Sequence, residues 1–86
     1  MSLGAREPRT YVFRDWFDRA DAMGQTRSEY VGQSRQDALD AAHDAGFETR
    51  VLDLPVAGDV LWRGDLRNDR LNLVVTDEVV IRAAVF

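Results

Sequence analysis

Apolar residues recur at helical spacing in two separate stretches of the chain. From Tyr11 to Met23 they fall three or four residues apart, with Thr10 available as N-cap and Gly24 as stop, so the pattern predicts a first amphipathic helix. A second helix is predicted to begin at Ser34, whose hydroxyl can cap it, and to end before Gly46. Its apolar face is narrow and consists of Ala38, Leu39, Ala42 and Ala45.

The second half of the chain is predicted to form strands. Residues 47–54 form a β-rich run that ends at Pro55. Residues 70–75 alternate between two faces, which is typical of a strand, and residues 79–85 are predicted to return antiparallel after a turn at 76–78. One face of the middle strand carries Leu71, Leu73 and Val75, and the other carries Arg70, Asn72 and Val74.

The stretch from Val51 to Asn72 is predicted to be a strand, a long exposed loop and another strand. This connection is too long for a tight hairpin, which favours parallel pairing of its two flanking strands. The helix over residues 34–45 is expected to cover one face of the sheet and to leave the other face in solvent. The predicted fold is α+β: one helix packed on a small mixed β-sheet with a long exposed loop between two parallel strands, plus an extra N-terminal helix.

Length and composition indicate one ordinary folded domain. The chain has 86 residues, of which 45% are hydrophobic and 30% charged, and it has no cysteine that could form a disulfide. No stretch approaches the length of a membrane span. The net charge is −4 and all eleven basic residues are arginine, a balance that argues against a nucleic-acid partner.

Three segments are expected along the chain. Residues 1–9 are predicted to be a flexible tail, residues 10–27 an N-terminal helical extension, and residues 28–86 the main domain. The first ten residues have no apolar core of a signal peptide, and the absence of cysteine is compatible both with the cytoplasm and with export after removal of a signal. The compartment therefore stays open.

The residues that usually carry catalysis or bind metals are scarce. His43 is the single histidine, lies in the last turn of the second predicted helix, and suits the helix C-terminus as a cation. With no cysteine and no second histidine, neither a metal site nor a catalytic dyad is predicted. We therefore expect no cofactor and no enzymatic activity.

Large aromatic side chains are concentrated on the first predicted helix, at Phe13, Trp16 and Phe17. One interpretation is that this stripe covers the core of the chain. The other is that it forms a partner surface, for example in a homodimer through the N-terminal helix. The sequence favours the first interpretation and leaves the second open.

The loop and the strand that follows it suggest a binding function. Arg70 and Asn72 lie on the same face of a strand directly after the loop, where they are expected to hydrogen-bond Asp65 or the carbonyl groups near Arg63. Such braces would remove most of the loop's freedom before binding. A rigid exposed loop of this kind is typical of a substrate-like protease inhibitor.

Three motifs resemble the potato inhibitor type I family. They are Tyr30-Val31-Gly32-Gln33-Ser34 before a helix, Leu54-Pro55 at the end of a strand, and Arg67-Asn68-Asp69-Arg70-Leu71-Asn72 after the loop. The family pattern is Val-Gly-x-Ser, a helix, Leu-Pro, an exposed loop, and Arg-x-Asp-Arg-x-Arg, or Arg-x-Asp-Arg-Leu-Asn in bacterial relatives. The resemblance covers residues 29–85.

This resemblance implies an inhibitor of subtilisin-like or chymotrypsin-like serine proteases. The scissile bond would be Gly64-Asp65, with Arg67, Arg70 and Asn72 as braces. The loop is longer than the family's, and Arg63-Gly64 replaces a threonine and a large apolar residue. If the extra residues follow the bond, Trp62 becomes the primary specificity residue. The implied protease-contacting residues are Leu61, Trp62, Arg63, Gly64, Asp65 and Leu66.

A second function is compatible with the same predicted fold. Glycine at the primary specificity position fills no pocket and loosens the backbone. These departures favour a non-inhibitory protein-binding or assembly module that uses the loop or the first helix. The tripeptide Arg63-Gly64-Asp65 matches a receptor-binding sequence, but a three-residue match is expected by chance, and an arginine and an acid that flank a flexible turn explain it.

Overall fold

The computed structural model describes residues 9–55, 61–64 and 67–86. Neither of the α-helices in this part of the chain is long and apolar enough to cross a membrane. In chain order the elements are β1 (Arg9–Val12), α1 (Phe13–Ala22), a 3-10 helix (Ser28–Tyr30), α2 (Arg35–Asp44), β2 (Glu48–Leu54), β3 (Leu61–Gly64), β4 (Arg70–Thr76) and β5 (Val79–Val85).

The main sheet has three strands in the order β2-β4-β5. β2 and β4 are parallel, with a register that runs from Glu48 opposite Arg70 to Leu54 opposite Thr76. β4 and β5 are antiparallel, with an irregularity between Val74 and Val75. The predicted α+β class, the mixed sheet and the parallel pairing across the long connection are confirmed.

α2 covers one face of the sheet, as the sequence predicts. The Ser34 hydroxyl accepts a hydrogen bond from the Asp37 N–H at 3.1 Å and caps the helix. Gly46 follows the last turn with a φ of +87°, a conformation that glycine adopts without strain. The small buried side chains of the helix allow a close approach to the sheet. The core on this face contains Tyr30, Ala38, Ala42, Leu71, Leu73, Val75, Val80, Ala83 and Val85.

α1 covers the other face of the sheet, which was expected to lie in solvent. Phe13, Trp16 and Phe17 are 5%, 3% and 1% exposed, so the interpretation of this stripe as core is confirmed. The expectation of a partner or homodimer surface through these three side chains is wrong for this fold, because a partner would have to displace α1 from the sheet. The buried residues of this second core, called the α1 core below, are Phe13, Trp16, Phe17, Ala20, Leu52, Val74, Ala84 and Phe86.

The N-terminal residues differ from the prediction. Residues 9–12 were expected to end a flexible tail and to cap and begin the first helix, but they form β1, which pairs antiparallel with β3. α1 therefore begins at Phe13, directly after Val12, and has no side-chain cap. The backbone of residues 9–12 pairs with β3 instead of entering the helix.

The outer edge of β5 is covered by the segment between the two α-helices. The Arg27 N–H donates to the Ala83 carbonyl at 2.9 Å, and Val80 exchanges two hydrogen bonds of 2.9 Å with Gly32 and Gln33. These bonds satisfy an edge that would otherwise offer unpaired groups to another chain.

β4 and β5 are joined by a turn, as predicted, but Thr76 belongs to β4 and the turn has two residues, not three. Asp77 and Glu78 both have positive φ angles, 50° and 65°, and Thr76 pairs directly with Val79. This combination defines a type I′ turn, whose twist matches that of the flanking strands. Aspartate tolerates the left-handed conformation, whereas glutamate is strained in it.

We expect Glu78→Gly to raise the free energy of unfolding by about 0.5 kcal/mol, because glycine relieves the positive φ and loses part of the gain through its flexible unfolded state. The control is Glu78→Ala, which removes the same exposed side chain but keeps the strain. Urea denaturation of the three proteins checks the order of stability. A Glu78→Gly protein that is less stable than Glu78→Ala would contradict the assignment of the turn.

Candidate functional site

The candidate site is the connection between β2 and β4. Its central part, Leu61–Gly64, was expected to be an exposed loop but forms strand β3. Thr10 stands opposite Arg63, and Tyr11 stands opposite Trp62. The remaining predicted contact residues, Asp65 and Leu66, lie outside the described residues. The described backbone of the predicted contact segment is therefore extended and paired along one edge.

Arg67 fixes the point where the connection returns to the sheet. Its Nε and Nη2 atoms donate to the two carboxylate oxygens of Asp69 at 2.9 and 3.0 Å. Its Nη1 atom lies 2.9 Å from Glu48 Oε2, at the first residue of β2. The Glu48 N–H also donates to the Asp69 carbonyl at 2.9 Å. Arg67, one of the three predicted braces, thus ties the end of the connection to the start of β2.

This clamp affects the ionisation of Asp69. The hydrogen bonds from Arg67, supported by its charge, hold the pKa of Asp69 below the ordinary value for an aspartate. Because the folded-state pKa is lowered, the resulting stabilisation is present above the unfolded-state pKa of about 3.9 and is lost as the pH falls through the folded-state value. Both partners contact solvent, so salt is expected to weaken the pair.

We expect an NMR titration to give a pKa for Asp69 below that of an unstructured aspartate, and Arg67→Gln to return it toward that value. Arg67→Lys is the matched control, because lysine keeps the charge but lacks the planar fork that binds both carboxylate oxygens. Its Asp69 pKa is expected to lie between those of the other two proteins. Equal values in the parent and Arg67→Gln would contradict the clamp.

Asn72, the second predicted brace, is fully buried and directed toward the end of β5. Its Nδ2 donates to the carbonyl groups of Ala84 and Phe86, each at 3.2 Å, and its Oδ1 accepts from Arg50 Nε at 2.7 Å. A side-chain amide has two N–H donors, and these two bonds use both of them. The expectation that Asn72 donates to the loop is therefore wrong, and Asn72 instead joins β2, β4 and the residue that follows β5.

Arg70, the third predicted brace, also contacts the residue after β5. Its Nε donates to the Phe86 carbonyl at 3.0 Å. The predicted acceptor Asp65 is outside the described residues, so the expected bond between them stays a prediction. The Phe86 carbonyl thus accepts from both Arg70 and Asn72.

The Phe86 ring is held as firmly as its carbonyl group. It stacks on Trp16 with ring centroids 5.6 Å apart and an interplanar angle of 4°, and it meets Phe17 edge to face at 5.2 Å. The Arg50 guanidinium carbon lies 5.5 Å from the Phe86 centroid. The predicted brace face of β4 therefore adjoins the α1 core, to which Val74 and Phe86 belong.

Comparisons of this chain with protein-family models, with curated proteins and with solved structures find no match. Its function is therefore inferred from the fold and from the contacts described above.

Sequence reasoning missed four side chains around the candidate site. It also missed the strand that pairs with β3. Asp69 carried a signal, because an arginine and an acid two residues apart in an exposed turn can form a local ion pair. Phe86 carried none, since a single apolar residue after a strand has no periodicity. The missed side chains are Glu48, Arg50, Asp69 and Phe86, and the missed strand is β1.

Proposed function

We propose that this chain is a serine-protease inhibitor that presents residues 61–66 to the enzyme as a substrate-like segment. The observation that carries the proposal is the extended backbone of Leu61–Gly64 at the centre of a long connection between two parallel strands. Two of the three motifs that resemble the potato inhibitor type I family, Leu54-Pro55 and the run from Arg67 to Asn72, flank this same connection. Trp62 or Gly64 would be the primary specificity residue.

The extended form suits a protease because successive peptide groups of a strand point to opposite edges. Alternate residues of β3 direct their groups toward β1, and the others direct them away from β1. An enzyme that adds a strand to this outward edge gains main-chain hydrogen bonds, while the side chains of residues 61–64 supply specificity.

Restriction of the connection before binding also supports the proposal. At one end, the connection begins directly after Leu54, the last residue of the seven-residue strand β2. At the other end, Arg67 is bound to Asp69 and Glu48. A segment fixed at both ends loses less conformational entropy when an enzyme binds it. It also realigns after cleavage more readily than a free peptide, which is what slow, reversible inhibition requires.

The test is incubation of the full chain with subtilisin and with chymotrypsin. We expect slow loss of protease activity at a defined stoichiometry, with cleavage of the chain confined to residues 61–65. Asp44→Ala, an exposed change at the end of α2, is the control and should inhibit like the parent. Rapid digestion between residues 61 and 65 without loss of protease activity would overturn the proposal.

Two variants distinguish the alternative specificity residues. If Trp62 fills the primary pocket, Trp62→Ala should weaken inhibition by about a hundredfold or more, and Gly64→Leu should have a smaller effect. If Gly64 occupies that position, Gly64→Leu should strengthen inhibition of both enzymes, since leucine fills a pocket that glycine leaves empty. Inhibition that neither substitution changes would place the contact elsewhere in the chain.

A non-inhibitory binding or assembly module is the second candidate. Two observations favour it: β1 already occupies one edge of β3, and the donors of Asn72 are directed away from the connection. Light scattering over a concentration series tests assembly, with Trp62→Pro as a variant that removes one N–H from β3. A dimer that Trp62→Pro dissociates supports this candidate, whereas a monomer at every concentration counts against self-assembly.

A further inference from the structure

We propose, resting on the function proposed above, that β1 is the positioning strand of the inhibitory segment and holds residues 61–64 in their extended form. Arg70 and Asn72 were expected to have this role from the sequence. In the structure the contacts of Asn72 hold the end of β5, and the backbone partner of β3 is β1. An N-terminal strand would thus replace side-chain braces that act from beneath the loop.

β1 can hold β3 because β1 is itself fixed to the body of the chain. Val12, its last residue, is followed without a linker by Phe13, the first residue of α1. Val12 also packs against the α1 core, in which Phe13, Trp16 and Phe17 are buried. Movement of the Val12 end of β1 therefore disturbs residues that are close-packed against the sheet.

The residue that precedes the connection between β2 and β4 packs against the same α1 core. Leu54, the last residue of β2, packs against the α1 core, as Val12 does. The start of the connection and the strand that pairs with its centre are therefore anchored to one packed unit. A two-stranded ribbon of four residues is marginal by itself, so this attachment to α1 is what makes its pairing effective.

The register defines which part of the connection is held. Arg9 stands opposite Gly64 and Val12 stands opposite Leu61, so the described ladder covers both candidate specificity residues. The glycine that would loosen an isolated loop is thus paired in the strand. β1 also occupies one edge of β3, and no other strand of the described residues pairs with the opposite edge, which an enzyme would use.

The test is a matched pair of proline variants, Thr10→Pro and Tyr11→Pro. Neighbouring N–H groups of a strand point to opposite edges, so one variant removes a donor that faces β3 and the other removes a donor that faces away. The first readout is amide hydrogen exchange at residues 61–64, which needs no protease. Amides of residues 71–75 in β4 report within the same sample whether the core stays folded.

We expect one of the two variants to raise exchange at residues 61–64 by about tenfold or more and the other to have a clearly smaller effect. Exchange in β4 should stay as in the parent. Unchanged exchange at 61–64 in both variants would overturn the proposal. If either proline unfolds β4 as well, a triple glycine variant replaces it: Arg9→Gly, Thr10→Gly and Tyr11→Gly. This variant keeps Val12, and it too should raise exchange at residues 61–64 while exchange in β4 stays as in the parent.

The second readout separates this proposal from the proposed function. With subtilisin, the variant with faster exchange should be cleaved between residues 61 and 65 about tenfold faster than the parent and inhibit more weakly. If exchange is faster in the variant but the parent inhibits neither enzyme, β1 still positions residues 61–64, and the proposed inhibitory function is rejected. If the parent inhibits an enzyme but no variant changes exchange or cleavage at residues 61–64, the inhibitory function stands and β1 is not the positioning strand.

Discussion

Replacement of Phe86 by alanine is expected to lower the free energy of unfolding by about 3–5 kcal/mol. Phe86 is 1% exposed, and its ring lies among Trp16, Phe17 and Arg50. Alanine would remove an aromatic ring that joins α1 to the sheet and would leave a cavity that the rigid surroundings fill incompletely. Chemical denaturation followed by far-UV circular dichroism measures the loss.

Phe86→Leu is the control for this prediction. It retains most of the apolar volume and keeps the main-chain carbonyl that Arg70 and Asn72 contact, so we expect a smaller loss of about 1–2 kcal/mol. A loss below about 1 kcal/mol for Phe86→Ala would contradict the packing of α1 on the sheet.

A double-mutant cycle isolates the stacked pair. Trp16→Ala and Phe86→Ala should be less than additive when combined, with a coupling of about 0.5–1.5 kcal/mol for the stacked rings. All of these variants are expected to keep the parent's state of association, because Trp16 is buried within its own chain. Dissociation of a dimer by Trp16→Ala would restore the partner-surface interpretation.

Replacement of Asn72 by alanine is expected to cost about 2–4 kcal/mol, because it removes three hydrogen bonds from a fully buried site. The Arg50 Nε loses its acceptor at 2.7 Å, and the carbonyls of Ala84 and Phe86 each lose a donor at 3.2 Å. Alanine restores none of these partners. Thermal and urea denaturation measure the effect.

Asn68→Ala is the matched control, since it makes the same chemical change at an exposed position four residues earlier. We expect an effect within about 0.5 kcal/mol. A similar small loss for Asn72→Ala would contradict the buried network.

Proteolysis of Asn72→Ala distinguishes a core residue from a loop brace. If Asn72 acts within the core, cleavage of residues 61–65 by subtilisin should increase in step with global unfolding. Selective cleavage of that segment while the core remains folded would show that Asn72 braces the loop after all.

Local signals in the sequence predicted most elements of the fold. Ser34 and Gly46 marked the limits of α2, because a cap hydroxyl and a left-handed glycine act on the nearest backbone groups. The alternation from Leu71 to Val75 predicted β4 and the face that α2 covers. The length of the connection predicted parallel pairing of β2 and β4, since it excludes a hairpin.

Distant contacts explain the predictions that were wrong. The apolar stripe of α1 showed that one helix face is buried but did not identify the surface that buries it. That surface is the Leu52, Val74 and Phe86 face of the sheet. Thr10 is a good cap for a helix, yet residues 9–12 pair with residues 61–64, far along the chain.

The candidate site shows the same division. Arg67 was predicted as a brace and does fix the end of the connection, through Asp69 and Glu48. Arg70 and Asn72 were placed on the correct strand face, but their donors meet the Phe86 carbonyl. An alternating pattern shows on which face of the strand a side chain lies, but it does not identify the group that the side chain contacts there.

The sequence by itself determined the α+β class, the boundaries of α2 and β5, and the position of the connection, because propensity, caps and periodicity act over a few residues. The tertiary structure decided that α1 closes the second face of the sheet, that Phe86 completes its core, and that β1 pairs with β3. Each of these depends on which distant surfaces meet, and burial of apolar area favours such contacts without specifying them locally.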